Sequence, residues 1–346
     1  SNVVRIGEQN CRGVRLAVVV MMAPLALDSP AGADPPPPTA CETRCVDPNI
    51  RTLKGHTFIP PARIDSAFVT THFGILLGGG YQKITPTSPA NANAHEVAGL
   101  STALRFGIRF VPWLGMFVTG RGQVGVGITQ QAVFSRGGRA IGDWEVGLAG
   151  RILRRERSGT QLGIRLKGIG RHGYGVVPES VVADILASII GQPTQRPTDD
   201  LVSTENSFGF SGALTAAQAI NSHFGLQASI DGGVLSTSYG LEYEADETGA
   251  DSTRFLFATG IAATADFMPF VPLGVMVEYR FRIRVEETEW FETEDFGGSN
   301  HIIGGGLFYT GRRALALGLV AYWRRWVGEE ETRQMVNVQL MMQYYF

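Results

Sequence analysis

The sequence has 346 residues, a formal net charge of −2, and 18% charged residues against 44% hydrophobic ones. A helical membrane protein needs runs of about 20 apolar residues, and no such run follows residue 33, which excludes that class. A charge this close to zero gives no reason to expect a nucleic-acid partner. A soluble globule and a membrane β-barrel both fit the composition, because alternation dilutes the apolar residues of a barrel.

Residues 1–33 have the features of a secretory signal peptide. Two arginines precede the short apolar stretch Leu16–Leu27, and Ala31-Gly32-Ala33 follows it as a small-residue cleavage site. A buried core helix is the alternative, but Pro24 lies inside the stretch and argues against it. We therefore expect the protein to be exported.

Residues 34–62 are predicted to be a periplasmic stub with little structure of its own. Pro35–Pro38 would make a stiff, extended tether. In an exported chain the nearby Cys41 and Cys45 favour a small disulfide loop over a metal site, which would require more ligands. Lipid attachment at Cys41 is a weaker alternative, because the three residues before it lack the usual leucine.

The remainder, residues 63–346, alternates between apolar and polar residues as β-strands do. Twelve strands are predicted, over 64–77, 96–110, 116–128, 143–154, 160–170, 207–219, 224–237, 254–267, 273–286, 301–310, 314–327 and 334–346. Connections after even-numbered strands are short and most of those after odd-numbered strands are long, as in outer-membrane barrels. The predicted fold is all-β: an antiparallel, up-and-down transmembrane barrel of twelve strands.

The faces of these strands that would point into the barrel are rich in basic residues. The predicted lining cations are Arg105, Arg109, Arg121, Arg151, Arg165, Lys167, Arg280, Arg282, Arg284 and Arg324, and the fewer acidic partners are mainly Glu145, Asp231, Glu278 and Asp266. An excess of fixed positive charge in a water-filled passage favours anions. In the alternative interpretation these charges pair with one another and fill a narrow lumen.

The connection 171–206 contains a predicted helix over residues 178–190, which would lie on the extracellular side. Pro178 stands at its start, its apolar residues share one face, and Gly191 can cap it. Such a helix could constrict the mouth of the barrel, lie at the membrane interface, or order the long loop by packing on its neighbours.

The sequence also contains an acidic stretch and several histidines near strand ends. The six carboxylates between Glu286 and Asp295 could recruit divalent cations, but they lack the spacing of a calcium loop, which favours solvated acidic loops. His95, His172 and His301 lie near predicted strand ends without an enzyme motif around them. We therefore expect no catalytic residues, no metal and no cofactor, and a rim hydrolase or protease is the remotest alternative.

The last predicted strand alternates most regularly. Its apolar face comprises Val336, Val338, Leu340, Met342, Tyr344 and Phe346. Ending on an aromatic residue, this strand resembles the C-terminal signal of bacterial outer-membrane β-barrel proteins, a class that includes porins and transporters. The resemblance implies recognition of this strand, with Tyr344 and Phe346, by the barrel-assembly machinery. It also implies a place in the outer membrane of a Gram-negative bacterium, among lipid and lipopolysaccharide.

An even number of strands puts both termini on one side of the membrane, which we expect to be the periplasm. The predicted function is porin-like: passive passage of small polar or anionic solutes through the arginine-lined lumen. A non-conducting structural barrel, or an adhesin-like one that presents its loops, is the main alternative.

Overall fold

A computed structural model describes residues 51–86, 94–130, 132–133, 137–176, 202–241, 251–268, 270–287, 298–328 and 331–346. Two short strands, β1 (Thr52–Leu53) and β2 (His56–Thr57), pair as a hairpin. The hairpin turns at Lys54 and Gly55, both of which have a positive φ. Glycine at the second position accepts this left-handed conformation without steric cost.

Twelve longer strands form a closed antiparallel barrel in the described part of the chain. They are β3 (His72–Pro86), β4 (His95–Val111), β5 (Leu114–Gly127), β6 (Gly138–Arg155), β7 (Thr160–Val176), β8 (Val202–Ala219), β9 (Phe224–Leu241), β10 (Asp251–Asp266), β11 (Leu273–Glu287), β12 (Gly298–Tyr309), β13 (Leu315–Gly328) and β14 (Glu331–Tyr345). Neighbours in sequence pair with each other, and β14 pairs with β3 to close the ring. The predicted twelve-stranded, all-β, up-and-down barrel is confirmed.

Burial alternates along the strands, as a wall with one lipid-facing surface and one inner surface requires. In β14, Val338 and Leu340 are exposed on the outside, whereas Gln339 and Met341 are buried inside. The same alternation runs through β4, where Leu104 points outward and Ala103 inward. The predicted division of residues between the two faces therefore holds on both strands.

The first barrel strand lies further along the chain than the sequence predicts. The prediction was 64–77, but β3 begins at His72. Residues 64–71 also place apolar side chains on a regular pattern, and Ile64, Ala67 and Phe68 are all buried. Their burial reflects packing inside the barrel and does not follow the period of two of a lipid-facing strand.

The connections define two ends of the barrel. At one end, the short-turn end, the connections are 112–113, 156–159, 220–223, 267–272 and 310–314. At the other, the long-connection end, they are 87–94, 128–137, 177–201, 242–250, 288–297 and the brief 329–330. The predicted helix over 178–190 falls outside the described residues. No described helix is long and apolar enough to cross a membrane.

Candidate functional site: the lumen of the barrel

Residues 51–71, which we call the luminal segment, lie inside the barrel. Their side chains and backbone contact inward-facing residues of strands on every side of the ring, from β4 and β7 to β11 and β14. A chain that reaches all these strands can only occupy the space they enclose. From the sequence, this segment is predicted to belong partly to a periplasmic stub and partly to the first strand.

The luminal segment is anchored at the short-turn end. Arg51 donates hydrogen bonds to the carbonyl oxygens of Phe58, at 2.7 Å, and Arg313, at 3.0 Å. The same guanidinium stacks on the ring of Tyr345, 3.8 Å from its centroid. From the opposite side Arg154 donates to the carbonyl of Thr52 at 3.0 Å. These bonds tie the hairpin to the 310–314 turn and to the end of β6.

Apolar contacts fill the space around this anchor. One buried cluster joins the segment to β8, and its members are Leu53, Phe58, Ala67, Phe68, Ala217 and Ala219. A second places Ile59 and Ala62 of the segment against Met276, Met341 and neighbouring wall residues. At Gly260 the wall approaches so closely that an added Cβ would lie 2.3 Å from Cγ2 of Ile64. The inner wall is therefore shaped to the segment.

Three predicted lining residues bind the backbone of the luminal segment where it reaches mid-barrel. Arg105 on β4 donates to the carbonyls of residues 61 and 62, at 3.1 and 2.5 Å. Arg280 on β11 donates to the carbonyl of Arg63 at 2.7 Å. Glu278, two residues earlier on β11, accepts from the amides of Ala62 and Arg63 at 3.2 and 3.1 Å.

Asp65 of the segment lies among cations of the wall. Its carboxylate is 2.9 Å from Nζ of Lys167 and 3.7 Å from Nη1 of Arg165, both on β7. Burial by itself would raise the pKa of Asp65, but Lys167 and Arg165 outweigh it and hold the pKa well below its usual range. Arg165 also donates to the carbonyl of Ser66 at 3.0 Å. Asp65 is therefore an ionised group with fixed partners.

Polar wall side chains complete the contacts. Gln161 donates to the carbonyl of Ala67 at 2.5 Å, and Gln227 donates to that of Ile59 at 3.1 Å. Gln339 accepts from Arg63 at 3.4 Å, and that guanidinium also stacks on Tyr322, 3.8 Å from the ring centroid. Sequence reasoning missed Asp65 and these glutamines. The glutamines do occupy inward-facing positions of their strands, and that position was the available signal.

The long-connection half of the lumen has a different lining, in which wall residues pair with one another. Arg121 is 2.7 Å from Glu145, so these two predicted residues do meet. Arg171 lies 2.7 Å from Asp143 on the neighbouring strand. Arg324 donates to the side-chain oxygen of Asn300 at 3.0 Å.

The other predicted lining residues are distributed along the wall. Arg282 is the cross-strand partner of Ala258 and Asn300 and lies toward the long-connection end. Arg109 and Arg151 lie near the short-turn end, each at a register shift of its strand. The backbone of Arg284 pairs with Leu256, and its side chain is outside the described part of the chain. The twelve residues therefore do not form one ring.

The described residues offer neither a metal cluster nor a catalytic pair at His172 or His301. No group of three or more His, Cys, Asp or Glu side chains there is placed to hold a metal ion. His172 pairs with Asn206 at 2.7 Å, and His301 pairs with the hydroxyl of Tyr279 at 2.9 Å. Cys41 and Cys45 lie outside the described residues.

No protein-family model matches this sequence, and no curated protein matches it. Solved structures do match it. An outer-membrane channel from Pseudomonas putida F1 has a TM-score of 0.52 and 9% identity, covering 84% of this chain and 100% of that chain. The transport unit of the autotransporter AIDA-I from Escherichia coli has a TM-score of 0.49 and 10% identity, covering 85% and 95%. The Pseudomonas putida toluene transporter TodX has a TM-score of 0.40 and 9% identity, covering 80% and 90%.

At these identities the comparison with the Pseudomonas putida channel establishes the fold alone. Together with the closed twelve-stranded ring and its apolar outer wall, it identifies the chain as a barrel of the bacterial outer-membrane type.

Proposed function

We propose that this protein is a gated outer-membrane channel for small polar or anionic solutes. The luminal segment closes its short-turn half, and passage requires that the segment move away from the wall. One observation carries the proposal. Five residues predicted to line an open passage, namely Arg105, Arg165, Lys167, Glu278 and Arg280, each contact the luminal segment.

The chemistry of these contacts favours a segment that can move away from the barrel wall. Several of the bonds join a charged wall side chain to a backbone carbonyl of the segment, and Asp65 forms ion pairs with Lys167 and Arg165. Buried ion pairs contribute little net stability, because desolvation offsets most of the attraction between the charges. Water entering the lumen can replace such partners more readily than it can replace apolar packing.

The same residues would set selectivity once the segment has moved. Release of Asp65 leaves Arg105, Arg121, Arg165, Lys167 and Arg280 around a passage whose acids include Asp231, Glu278 and Glu145. A surplus of fixed cations lowers the barrier for anions. The anion preference therefore belongs to the open state, whereas in the closed state the cations are occupied.

The surroundings of the barrel follow from the proposed location. We place the short-turn end and both termini in the periplasm, with outer-membrane lipid and lipopolysaccharide around the wall. Tyr344 and Phe346 lie on the outer face of the last strand, with ring centroids 5.0 Å apart. That exposure suits an assembly signal read by the barrel-assembly machinery.

A second candidate function is a permanently closed barrel that acts through its surface or its loops. The apolar cluster of Leu53, Phe58 and Phe68 with β8 favours it, because removing those side chains from the wall exposes them to water. In that case the luminal segment is a structural core and never moves. Adhesion or loop presentation would then be the role of the long connections.

A reversible cross-link between the segment and the wall separates the two. The Cβ of a residue at position 260 would lie 3.3 Å from Cβ of Ile64, close to the roughly 3.5–4.5 Å of a disulfide. The double variant Ile64→Cys/Gly260→Cys also removes the Cγ2 atom that crowds this position. It should be made with Cys11, Cys41 and Cys45 replaced by serine, with each single-cysteine variant as a control.

Conductance in planar bilayers is the readout. We expect the reduced double variant to open, oxidation to abolish the current, and dithiothreitol to restore it, while the single variants do not respond to oxidant. Current that persists in the fully oxidised protein would show that the segment is not the gate. Absence of current in the reduced double variant and in the unsubstituted protein would favour the permanently closed barrel.

A further inference from the structure

The outer wall of the barrel carries a groove that the channel function does not use. It crosses β3 to β7 toward the long-connection end and has a volume of about 770 Å³. Its outward-facing lining residues are Leu77, Leu100, Thr102, Gly122, Val124, Ala140, Gly142, His172 and Tyr174. The groove is therefore a feature of the lipid-facing surface and not of the lumen.

Strand register explains the shape of the groove. Leu77, Thr102, Gly122, Gly142 and His172 are successive cross-strand partners, so they form one row across five strands. This floor row has two glycines at its centre. The next row toward the long-connection end consists of Leu100, Val124, Ala140 and Tyr174. The row on the other side includes Leu104, Gly120 and Trp144.

Crowding by the backbone does not account for the central glycines. A Cβ at Gly142 would have its nearest neighbour, the carbonyl oxygen of His172, 4.0 Å away. A Cβ at Gly122 would meet the methyl group of Thr102 at 3.3 Å, a close contact that a small shift of this exposed side chain relieves. Glycine is unfavourable inside strands, because it packs no side chain and loses the most conformational freedom. Glycine at these two positions keeps the floor of the groove free of side-chain atoms and leaves room there for a ligand.

We propose that this groove binds one acyl chain of a membrane lipid. It is continuous with the lipid-facing wall, where Leu77, Leu100 and Val124 are among the exposed apolar side chains. Five strands about 4.8 Å apart give the row a length of about 19 Å. One leaflet contributes about 15 Å of the hydrocarbon core, so the row accommodates most of an extended acyl chain.

The groove also has a polar end, which points to an amphiphile and not to a plain hydrocarbon. His172 closes the floor row, and its Nδ1 pairs with Oδ1 of Asn206 on β8 at 2.7 Å. Tyr174 is 56% exposed beside it, two residues before β7 ends at the long connection. Polar groups on the outer wall are tolerated where the hydrocarbon region ends. The ester and headgroup of the bound lipid would lie there.

The test uses the full-length barrel in nanodiscs that contain phosphatidylethanolamine with a photoreactive diazirine in one acyl chain. After illumination, the cross-linked residues are mapped by peptide mass spectrometry. Gly142→Leu and Gly122→Leu fill the floor of the groove. Gly232→Leu is the matched control: Gly232 is exposed on β9, and a Cβ there has no neighbour within 4 Å.

We expect cross-links concentrated on β3 to β7 in the unsubstituted protein and the control, and at least a fivefold loss in the two groove variants. Heat-modifiable migration on gels verifies that each variant is a folded barrel. Cross-links spread evenly around the wall, or unchanged by both groove variants, would overturn the proposal. A barrel dimer that dissociates only in the groove variants would also overturn the proposal, because a second copy of the protein would then occupy the groove.

Discussion

The carboxylate of Asp65 lies 2.9 Å from the ammonium group of Lys167, although 102 residues separate them in sequence. Asp65 belongs to the luminal segment and Lys167 to β7 of the wall. The pair, with Arg165 beside it, is the point at which charge couples the segment to the barrel. A cation of the wall that would attract solute anions is instead occupied by an anion of the same chain.

Asp65→Asn should open the channel more often. The substitution leaves Lys167 and Arg165 in place without their anion, and an unpaired buried charge costs on the order of 3 kcal/mol. The closed state carries this cost and the hydrated open state does not, so single-channel recordings should show an open probability raised by at least tenfold. Asp143→Asn, which removes an acid that pairs with Arg171 away from the segment, is the control. An equal response to both substitutions would contradict the assignment.

Acidification should also release the luminal segment, through His56. Burial lowers the pKa of His56 to about 4. The carboxylate of Asp266 opposes this shift, whereas His223 contributes to it. The released segment binds a proton near the ordinary pKa of about 6.5, so between pH 6.5 and 4 protonation favours release, by up to about tenfold per pH unit. Above pH 6.5 the imidazole is neutral in both states and the effect is absent.

Open probability measured from pH 7.5 to 4.5 checks this expectation. His56→Gln should remove the dependence between pH 6.5 and 4.5, because an amide does not titrate in that range. Its side chain can still hydrogen-bond Oγ1 of Thr264, which lies 2.8 Å from Nε2 of the imidazole. Asp65 keeps its charge throughout that range. A pH response that persists unchanged in His56→Gln would assign it to another group.

The open channel should change from anion preference to cation preference when the two arginines of β11 are replaced by acidic residues. Arg280→Glu and Arg282→Glu, combined with the reduced cysteine pair at positions 64 and 260, replace two positive charges with two negative ones. Reversal potentials in a salt gradient should move from anion-preferring to cation-preferring. Arg325→Glu, on the outer face of β13, is the control and should leave them unchanged. Identical reversal potentials in the β11 variant would show that these arginines do not line the conducting path.

The two faces of the wall should differ in their tolerance of charge. Leu214 is exposed to lipid on β8, and Leu214→Lys should cost about 2–4 kcal/mol if the residue lies near the membrane midplane. Ser211→Lys, three residues earlier on the inner face, places its ammonium group in the polar lumen near Asp231 and should cost less than half as much. Urea unfolding in lipid vesicles measures both. Equal costs would contradict the assignment of the faces.

Much of the wall could be predicted from the sequence, because its two surroundings impose a strict period of two. Val338 and Gln339 differ in polarity for that reason, and their burial follows the prediction. The inward direction of Arg105, Arg165 and Arg280 follows from the same parity. Strand parity is a local property, which one strand is sufficient to reveal.

The filling of the lumen could not be predicted in this way. The luminal segment contacts strands on every side of the ring, including β4, β8, β11 and β14, and no pattern within residues 51–71 specifies those partners. Asp65 is an ordinary carboxylate in sequence and becomes important only beside Lys167. The apolar spacing of Ile64 and Phe68 imitates a strand, which is why the first strand was placed too early. The predicted roles of the lining arginines in selectivity, the signal peptide, the cysteine pair and the loop helix stay predictions.

The position of the luminal segment also bears on the order in which the protein folds. Its contacts bridge long stretches of chain: 216 residues separate Ala62 from Glu278, and 276 separate Arg63 from Gln339. Contacts this distant in sequence form slowly, because a long loop must close before they stabilise anything. Although the segment is made before every barrel strand, its binding surface is complete only when β14 joins β3. Protection of residues 51–71 from proteolysis would therefore be the last step of folding, and it would distinguish a finished barrel from a ring that is still open.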